Sequence, residues 1–232
     1  IAQCLVGSEM CIRDRIYYLF RPCLYVCKMF LNYFVYFTSK ICTENRYNYF
    51  KRIKPFLFSR IVRTWFGHVG DKISIVPPFY IRGGKYIQLG TNFRALSGLR
   101  LEAIDFYNNS SYHPSIVIGD NVVFNNSCHI GATNRIIIGN DVVVASRVFI
   151  TDHFHGNTTY NDLQIPVRNR LLYSKGPVVI GNNVWIGEGA SILPNVTIGD
   201  NSIVAAHAVV TKNIPANSIA VGCPARIIRT IN

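Results

Sequence analysis

From Ile180 to Val210 the chain counts in sixes. Ile180, Ile186, Ile192, Ile198, Val204 and Val210 fall on one phase. The residues four places after each are Val184, Ala190, Val196, Ser202, Ala208 and Ile214, all small or β-branched. Gly181, Gly187 and Gly199 follow three of the aliphatic positions, with Asn182, Asn183, Asp200 and Asn201 beside them. A period of six is wrong for a helix and too long for simple strand alternation. It fits a solenoid: a short strand places one branched side chain inside, then Gly, Asn or Asp turns a corner. Three hexapeptides make one triangular turn, and successive turns stack about 4.8 Å apart.

The period extends upstream with breaks. Ile118, Phe124 and Ile130 form one set, and Ile138, Val144 and Ile150 another, displaced by two residues around Thr133 and Asn134. Leu89, Ala95 and Leu101 form a weaker set, and Ile75 and Ile81 begin a partial one. The expectation is an all-β solenoid of about five turns, starting near residues 89, 118, 138, 180 and 198. Two segments fall out of phase, Asp105 to Ser115 and Asp152 to Pro177. A long loop inside a stacked array is usually functional. The flat outer faces of such a prism commonly pair with other copies, so a closed homo-oligomer is expected.

Specific motifs accompany the period. The run IGNNVWIGEGASILPNVTIGDNS is followed by AHAVVTKNIP and GCPARIIR, between Ile180 and Arg229. They resemble the hexapeptide-repeat acyltransferases, a left-handed parallel β-helix family that includes galactoside and maltose O-acetyltransferases. PPFYIRGGKYIQLG, SGLRLEAI and ASRVFITDHFHG are closer to the bacterial O-antigen and capsule O-acetyltransferases. The resemblance covers roughly residues 75 to 230 and supplies the handedness, which the period alone does not.

The resemblance implies acetyl transfer from acetyl-coenzyme A to a sugar hydroxyl. An alcohol is a poor nucleophile until a base accepts its proton, and neutral imidazole does this near neutral pH. His153, where the fourth turn ends and the long loop begins, matches the family's base. His155 matches a second histidine of the subfamily motif and is placed on the acceptor side with Asn125 and Asp152. Asp152 either fixes the imidazole tautomer or turns the chain. Asn125 matches a substrate-contacting asparagine and is also a natural corner residue. Lying one turn before His153, it could converge with it. For the donor, matching positions give Glu188, Ala206, Thr211, Lys212, Arg226 and Arg229 in a groove between adjacent prisms. Lys212, Arg226 and Arg229 suit phosphates. Glu188 departs from the family's small polar residue, and the bulk of His207 is unexplained. Trp185 projects outward against donor or neighbour. No metal is expected.

The N-terminal third differs in kind. Its first 72 residues hold 12 Lys and Arg against 4 Asp and Glu, and 14 of the 29 aromatics lie between Tyr17 and Phe58. Ile1 to Arg15 is expected to be a non-native leader, because the chain does not open on Met and CLVGSEMCIRDR resembles translated adapter sequence. Residues 16–72 then form a helical, basic, aromatic segment, and 73–232 the β-helix. No window of about 20 apolar residues suits a spanning helix. The segment reads either as an anchor at an anionic membrane, with Lys40, Arg46, Lys51, Arg52, Lys54, Arg60 and Arg63 facing headgroups, or as a cap on the open solenoid end. No nucleic-acid motif accompanies the charge. The seven cysteines show no CxxC pair, which suits the cytoplasm. Cys128 falls at an inward phase.

The function expected is therefore an acetyl-coenzyme A-dependent O-acetyltransferase, a homo-oligomer that the resemblance implies is a trimer, acting on a surface polysaccharide or its lipid-linked precursor in the cytoplasm, peripheral at the inner face of the cytoplasmic membrane. The alternative acceptor is a free sugar, an antibiotic or serine. Two other classes use the same scaffold: a zinc carbonic anhydrase, for which His129, His153, His155 and His207 are raw material, and an inactive scaffold.

Overall fold

A computed structural model describes residues 27–40 and 57–231. Contacts divide the chain at Arg52 and Ile53 into two units. In the first, residues 27–40 are helical, and Phe30, Tyr33, Phe34, Tyr36 and Phe37 are exposed. Residues 1–15, expected to be a leader, and the basic residues Arg46, Lys51, Arg52 and Lys54 lie outside the described residues. Among those described, no helix is long and apolar enough to cross a membrane.

The second unit is built on three parallel ladders visited in strict rotation. The first sheet stacks His68–Val69, Ile87–Leu89, Ser115–Ile118, Arg135–Ile138, Val178–Ile180 and Thr197–Ile198. The second stacks Ser74–Ile75, Arg94–Ala95, Val123–Phe124, Val143–Val144, Trp185–Ile186, Ile203–Val204 and Ser218–Val221. The third stacks Phe79–Arg82, Leu99–Ala103, His129–Ala132, Phe149–Thr151, Ser191–Ile192 and Val209–Val210. The first ladder strand lies upstream of residue 73, where the solenoid was expected to begin, and the rung holding Ile75 and Ile81 is complete. At the far end Arg226–Thr230 folds back antiparallel on Ser218–Val221.

The hexapeptide positions are buried as the period requires. Ile118, Ile138, Ile180 and Ile198 line the core from the first sheet, Phe124, Val144, Ile186 and Val204 from the second, Ile130, Ile150, Ile192 and Val210 from the third. Phe93 and Phe124 meet edge to face with centroids 5.7 Å apart, a geometry aromatic pairs favour. Cys128 is buried, its thiol donating to the carbonyls of Asn125 and Ala145.

Corner chemistry explains the Gly-Asn-Asp punctuation. Asn121, Asp141, Asn183, Asn201 and Asn217 turn the chain in the left-handed region, φ 53 to 58°, which Asn and Asp tolerate better than most residues. Their side chains bond from rung to rung, Asn183 to Asn201 and Asn201 to Asn217 at 2.9 Å each. A Cβ on Gly181 would overlap the Asp200 carboxylate one rung on. The bulk of His207 also finds its account here: its ring occupies the space left by Gly189, whose φ is +68°.

Residues 57–66 cap the first rung. Val62 and Phe66 join the core, Phe58 and Trp65 pack edge-on against Phe79, and Ile75 N–H donates to Ser59 Oγ at 2.9 Å.

Both out-of-phase segments are extruded at the edge where the third sheet passes to the first. Phe106–Tyr107 and Ser110–Ser111 form a hairpin turned by Asn108 and Asn109, both at positive φ, as a two-residue primed turn requires. Phe154–His155 pairs antiparallel with Leu172–Tyr173 at the base of the longer loop. The two excursions clasp each other. Asn108 Nδ2 and the Tyr107 hydroxyl donate to the Arg168 carbonyl at 2.8 and 3.1 Å, and Leu172 N–H donates to the Tyr112 hydroxyl at 2.9 Å.

Candidate active site

Side chains alternate along a strand. With Leu101, Ile130 and Ile150 inside, the flanking Arg100, Glu102, His129, Gly131, Phe149 and Thr151 face outward from three adjacent rungs of the third sheet. Ladder register aligns Arg100 with His129 and Phe149, and Glu102 with Gly131 and Thr151. The two excursions wall this face. The result is a cleft of about 270 Å³, reached also by Arg82, Tyr107, His153, His155 and Leu172.

His153 stands where the third sheet gives way to the loop. Its Nδ1 lies 3.0 Å from Asp152 Oδ1 and 3.2 Å from the Thr151 hydroxyl. Asp152 is fully buried. Its Oδ1 also accepts from Thr133 N–H at 2.9 Å, and its Oδ2 from Asn134 N–H at 2.8 Å. The two residues that displace the repeat thus present two amides to one carboxylate. Hydrogen bonding holds that group as an acceptor, so Nδ1 of His153 carries the proton and Nε2 a lone pair; this tautomer is assigned from the network. Among the described residues no hydrogen bond reaches Nε2, and no buried side-chain nitrogen or oxygen lacks a partner. Nε2 therefore opens onto the cleft. Asp152 itself does not line the cleft; its carboxylate bears on His153 and on the amides of Thr133 and Asn134.

A second imidazole–carboxylate pair shares the cleft. His129 Nε2 lies 2.9 Å from Glu102 Oε2, which Arg100 Nε also contacts. Burial raises the Glu102 carboxyl, but hydrogen bonds from His129 and Arg100 outweigh it and hold the group at about 2. The His129 ring packs on Phe149 with centroids 5.1 Å apart. In the sequence His129 reads only as a candidate metal ligand, and Glu102, Arg100 and Arg82 go unmarked. The available signal was alternation: all flank inward aliphatic positions of the strands that lead to His153. Among the described residues no group of three His, Cys, Asp or Glu is arranged to hold a metal.

The remaining expected residues are dispersed. His155 lines the cleft, its ring 5.6 Å from that of Tyr107. Asn125 is at the corner between second and third sheets, across the third sheet from His153, and the two do not converge within one chain. Glu188 and Ala206 stack along that same corner, where Glu188 forms an ion pair with Arg147 one rung before. Lys212 and Arg226 meet in a small cleft of about 150 Å³ at the C-terminal end, with Asn213, Ile214 and Ala225. Thr211 precedes Lys212 and is exposed, and Arg229 lies opposite Ile219 on the final hairpin. Trp185 is exposed on the outer face of the second sheet.

Comparison with known proteins bears on this arrangement. Residues 177–212 match the family described as bacterial transferase hexapeptide (six repeats). WbbJ of Escherichia coli (strain K12), named as a lipopolysaccharide biosynthesis O-acetyl transferase, is 40% identical over 159 residues, which cover 67% of this chain and 77% of WbbJ. The chain belongs to the hexapeptide-repeat acetyltransferases. Galactoside O-acetyltransferase of the same bacterium is 34% identical over 172 residues, covering 74% of this chain and 68% of that protein. Among solved structures, a hexapeptide-repeat acetyltransferase of Vibrio cholerae complexed with acetyl-coenzyme A is 27% identical with a TM-score of 0.51, covering 75% of this chain and 76% of that one. The N-acyltransferase AntD of Bacillus cereus shares the fold at a TM-score of 0.60 and 21% identity, covering 75% and 88%. As a member of this family the protein is an acyltransferase.

Proposed function

We propose that this protein transfers an acetyl group from acetyl-coenzyme A to a sugar hydroxyl of a surface polysaccharide or its lipid-linked precursor. The observation that carries the reading is His153, backed by buried Asp152 and open at Nε2 to a walled cleft. The names of the two Escherichia coli relatives favour a sugar-containing acceptor, and the Vibrio cholerae likeness favours acetyl-coenzyme A as donor. Family membership also supports a left-handed winding of the solenoid.

Nε2 of His153 accepts the hydroxyl proton as the acceptor oxygen attacks the thioester carbonyl. The tetrahedral oxyanion collapses, the C–S bond breaks, and the imidazolium returns its proton to the departing thiolate. Asp152 stabilises that imidazolium without taking the proton, the role a buried carboxylate plays in hydrolytic triads. No covalent acyl-enzyme is required. Lys212 and Arg226 suit the donor's phosphates as paired cations beside one cleft.

The site candidates divide between two edges of one prism. Neighbouring copies that set one edge against another, as in a trimer, would unite Asn125, Glu188 and Ala206 of one with His153 of the next. The aromatic surface of 27–40 and the basic balance of the N-terminal third support peripheral contact with anionic membrane on the cytoplasmic side.

The test is His153→Ala with acetyl-coenzyme A and a panel of glycosides. Removal of a general base costs about 10²–10⁴-fold in kcat, with donor binding retained. Near wild-type turnover would sink the assignment.

A further inference from the structure

Glu102 is used by nothing in the mechanism above, yet it is built into the same cleft. Its side chain is 8% exposed. Both protein contacts, from His129 and from Arg100, fall on Oε2. Among the described residues Oε1 accepts no hydrogen bond, and no buried side-chain oxygen there is without a partner. Oε1 is therefore the part of Glu102 that opens onto the cleft, with its lone pairs unused. A carboxylate this enclosed, held from behind by two donors, is a fixed acceptor aimed at whatever occupies the cleft.

Gly131 lies between Glu102 and Thr151 in the ladder. A Cβ placed on it would sit 3.4 Å from His153 Cε1 and 3.7 Å from His129 Nε2, with nothing else within contact range. Both imidazoles thus border the space above Gly131. Rungs are spaced by about 4.8 Å, so the strands carrying Glu102 and Thr151 stand roughly 10 Å apart, a gap that one sugar ring with its hydroxyls can span.

We propose that Glu102 anchors the acceptor by accepting a hydrogen bond, at Oε1, from a hydroxyl other than the one His153 deprotonates, with the ring lying over Gly131. This rests on the sugar-acceptor reading above and adds what the acceptor must carry. It must present two hydroxyls on opposite sides of one ring, and it must not be anionic at the second position, because an anionic substituent there would face a buried carboxylate. A site built to pair with a hydroxyl rejects the analogue that lacks it, since its own acceptor is then left unpaired.

The probes are methyl glycosides of glucose, galactose, mannose and rhamnose with their singly deoxygenated analogues. Binding to the full chain is read by titration calorimetry and transfer by release of the coenzyme A thiol. At least one glycoside should bind the wild type. Glu102→Gln should weaken it by about tenfold to a hundredfold, the range for a hydrogen bond to a charged group, with the KM for acetyl-coenzyme A unchanged. One deoxy analogue, lacking a hydroxyl that is not acetylated, should bind the wild type with a similar loss, and the variant should not distinguish it from its parent. Should Glu102→Gln fail to fold, Gly131→Ala carries the test: its methyl group fits at van der Waals distance but occupies the floor, so binding should fall without a change in melting temperature. Glycosides that bind no better than deoxy analogues, that bind Glu102→Gln as tightly as wild type, or that do not bind at all overturn the anchor. Binding that follows these rules without acetyl transfer supports the anchor and refutes the transfer reading alone.

Discussion

Asp152→Asn isolates the charge behind His153 with the least change of shape. Asp152 is fully buried and accepts from Thr133 N–H at 2.9 Å, Asn134 N–H at 2.8 Å and His153 Nδ1 at 3.0 Å. An asparagine has one oxygen for these donors. If that oxygen serves Thr133 and His153, its NH₂ points at the Asn134 amide, donor against donor. One orphaned buried N–H costs about 1–3 kcal/mol, and at roughly 2–4 °C per kcal/mol for a domain of this size the melting temperature should fall by about 2–12 °C. If the amide flips, its NH₂ meets Nδ1, which must then give up its proton. The imidazole then carries hydrogen on Nε2, the wrong tautomer for a base. Either way the imidazolium formed during attack loses its counter-charge, so kcat should drop by about 10²–10⁴-fold. The KM for acetyl-coenzyme A should not move. Thermal melting and a colorimetric assay for the coenzyme A thiol, run on one preparation, separate the two effects. A variant that melts low but turns over within about threefold of wild type would show that Asp152 only ties the loop to Thr133 and Asn134, and the dyad would be refuted.

Lys212→Ala combined with Arg226→Ala should raise the KM for acetyl-coenzyme A by tenfold or more, about 1.4 kcal/mol, and leave that for a glycoside alone; an unchanged donor KM removes these residues from the donor site. Light scattering should find the active species as a closed oligomer of three copies, and an active monomer would refute the shared site. Glu102 titrates at about 2 when folded, against an ordinary value of 4.5. A depressed folded value stabilises above the unfolded value, so its contribution is complete above about pH 4.5 and fades as pH falls toward 2. The stability difference between wild type and Glu102→Gln in urea should therefore shrink over that interval, and a difference independent of pH would contradict the assignment.

The core was legible in the chain itself. A hexapeptide solenoid repeats one local decision, a branched side chain inward and a Gly-Asn corner after it, so Ile180, Ile186 and Ile192 report their own burial without knowledge of distant residues. His153 was legible for a related reason: it ends one such run at the break in phase. What the chain could not disclose by itself was register between rungs. Thr133 and Asn134 stood out only as a slip in the count, and stacking alone showed their amides turned onto Asp152. Glu102 and His129 lie 27 positions apart, and whether they meet depends on how many residues the hairpin Phe106–Ser111 takes out of the count before the next rung begins. The length of an excursion is free in sequence, because a loop leaves and rejoins the prism at small entropic cost. Only the closed ladder, pairing Arg100 with His129 and Glu102 with Gly131, decides which outward side chains share a cleft, and the same geometry separates Asn125 from His153 within one chain.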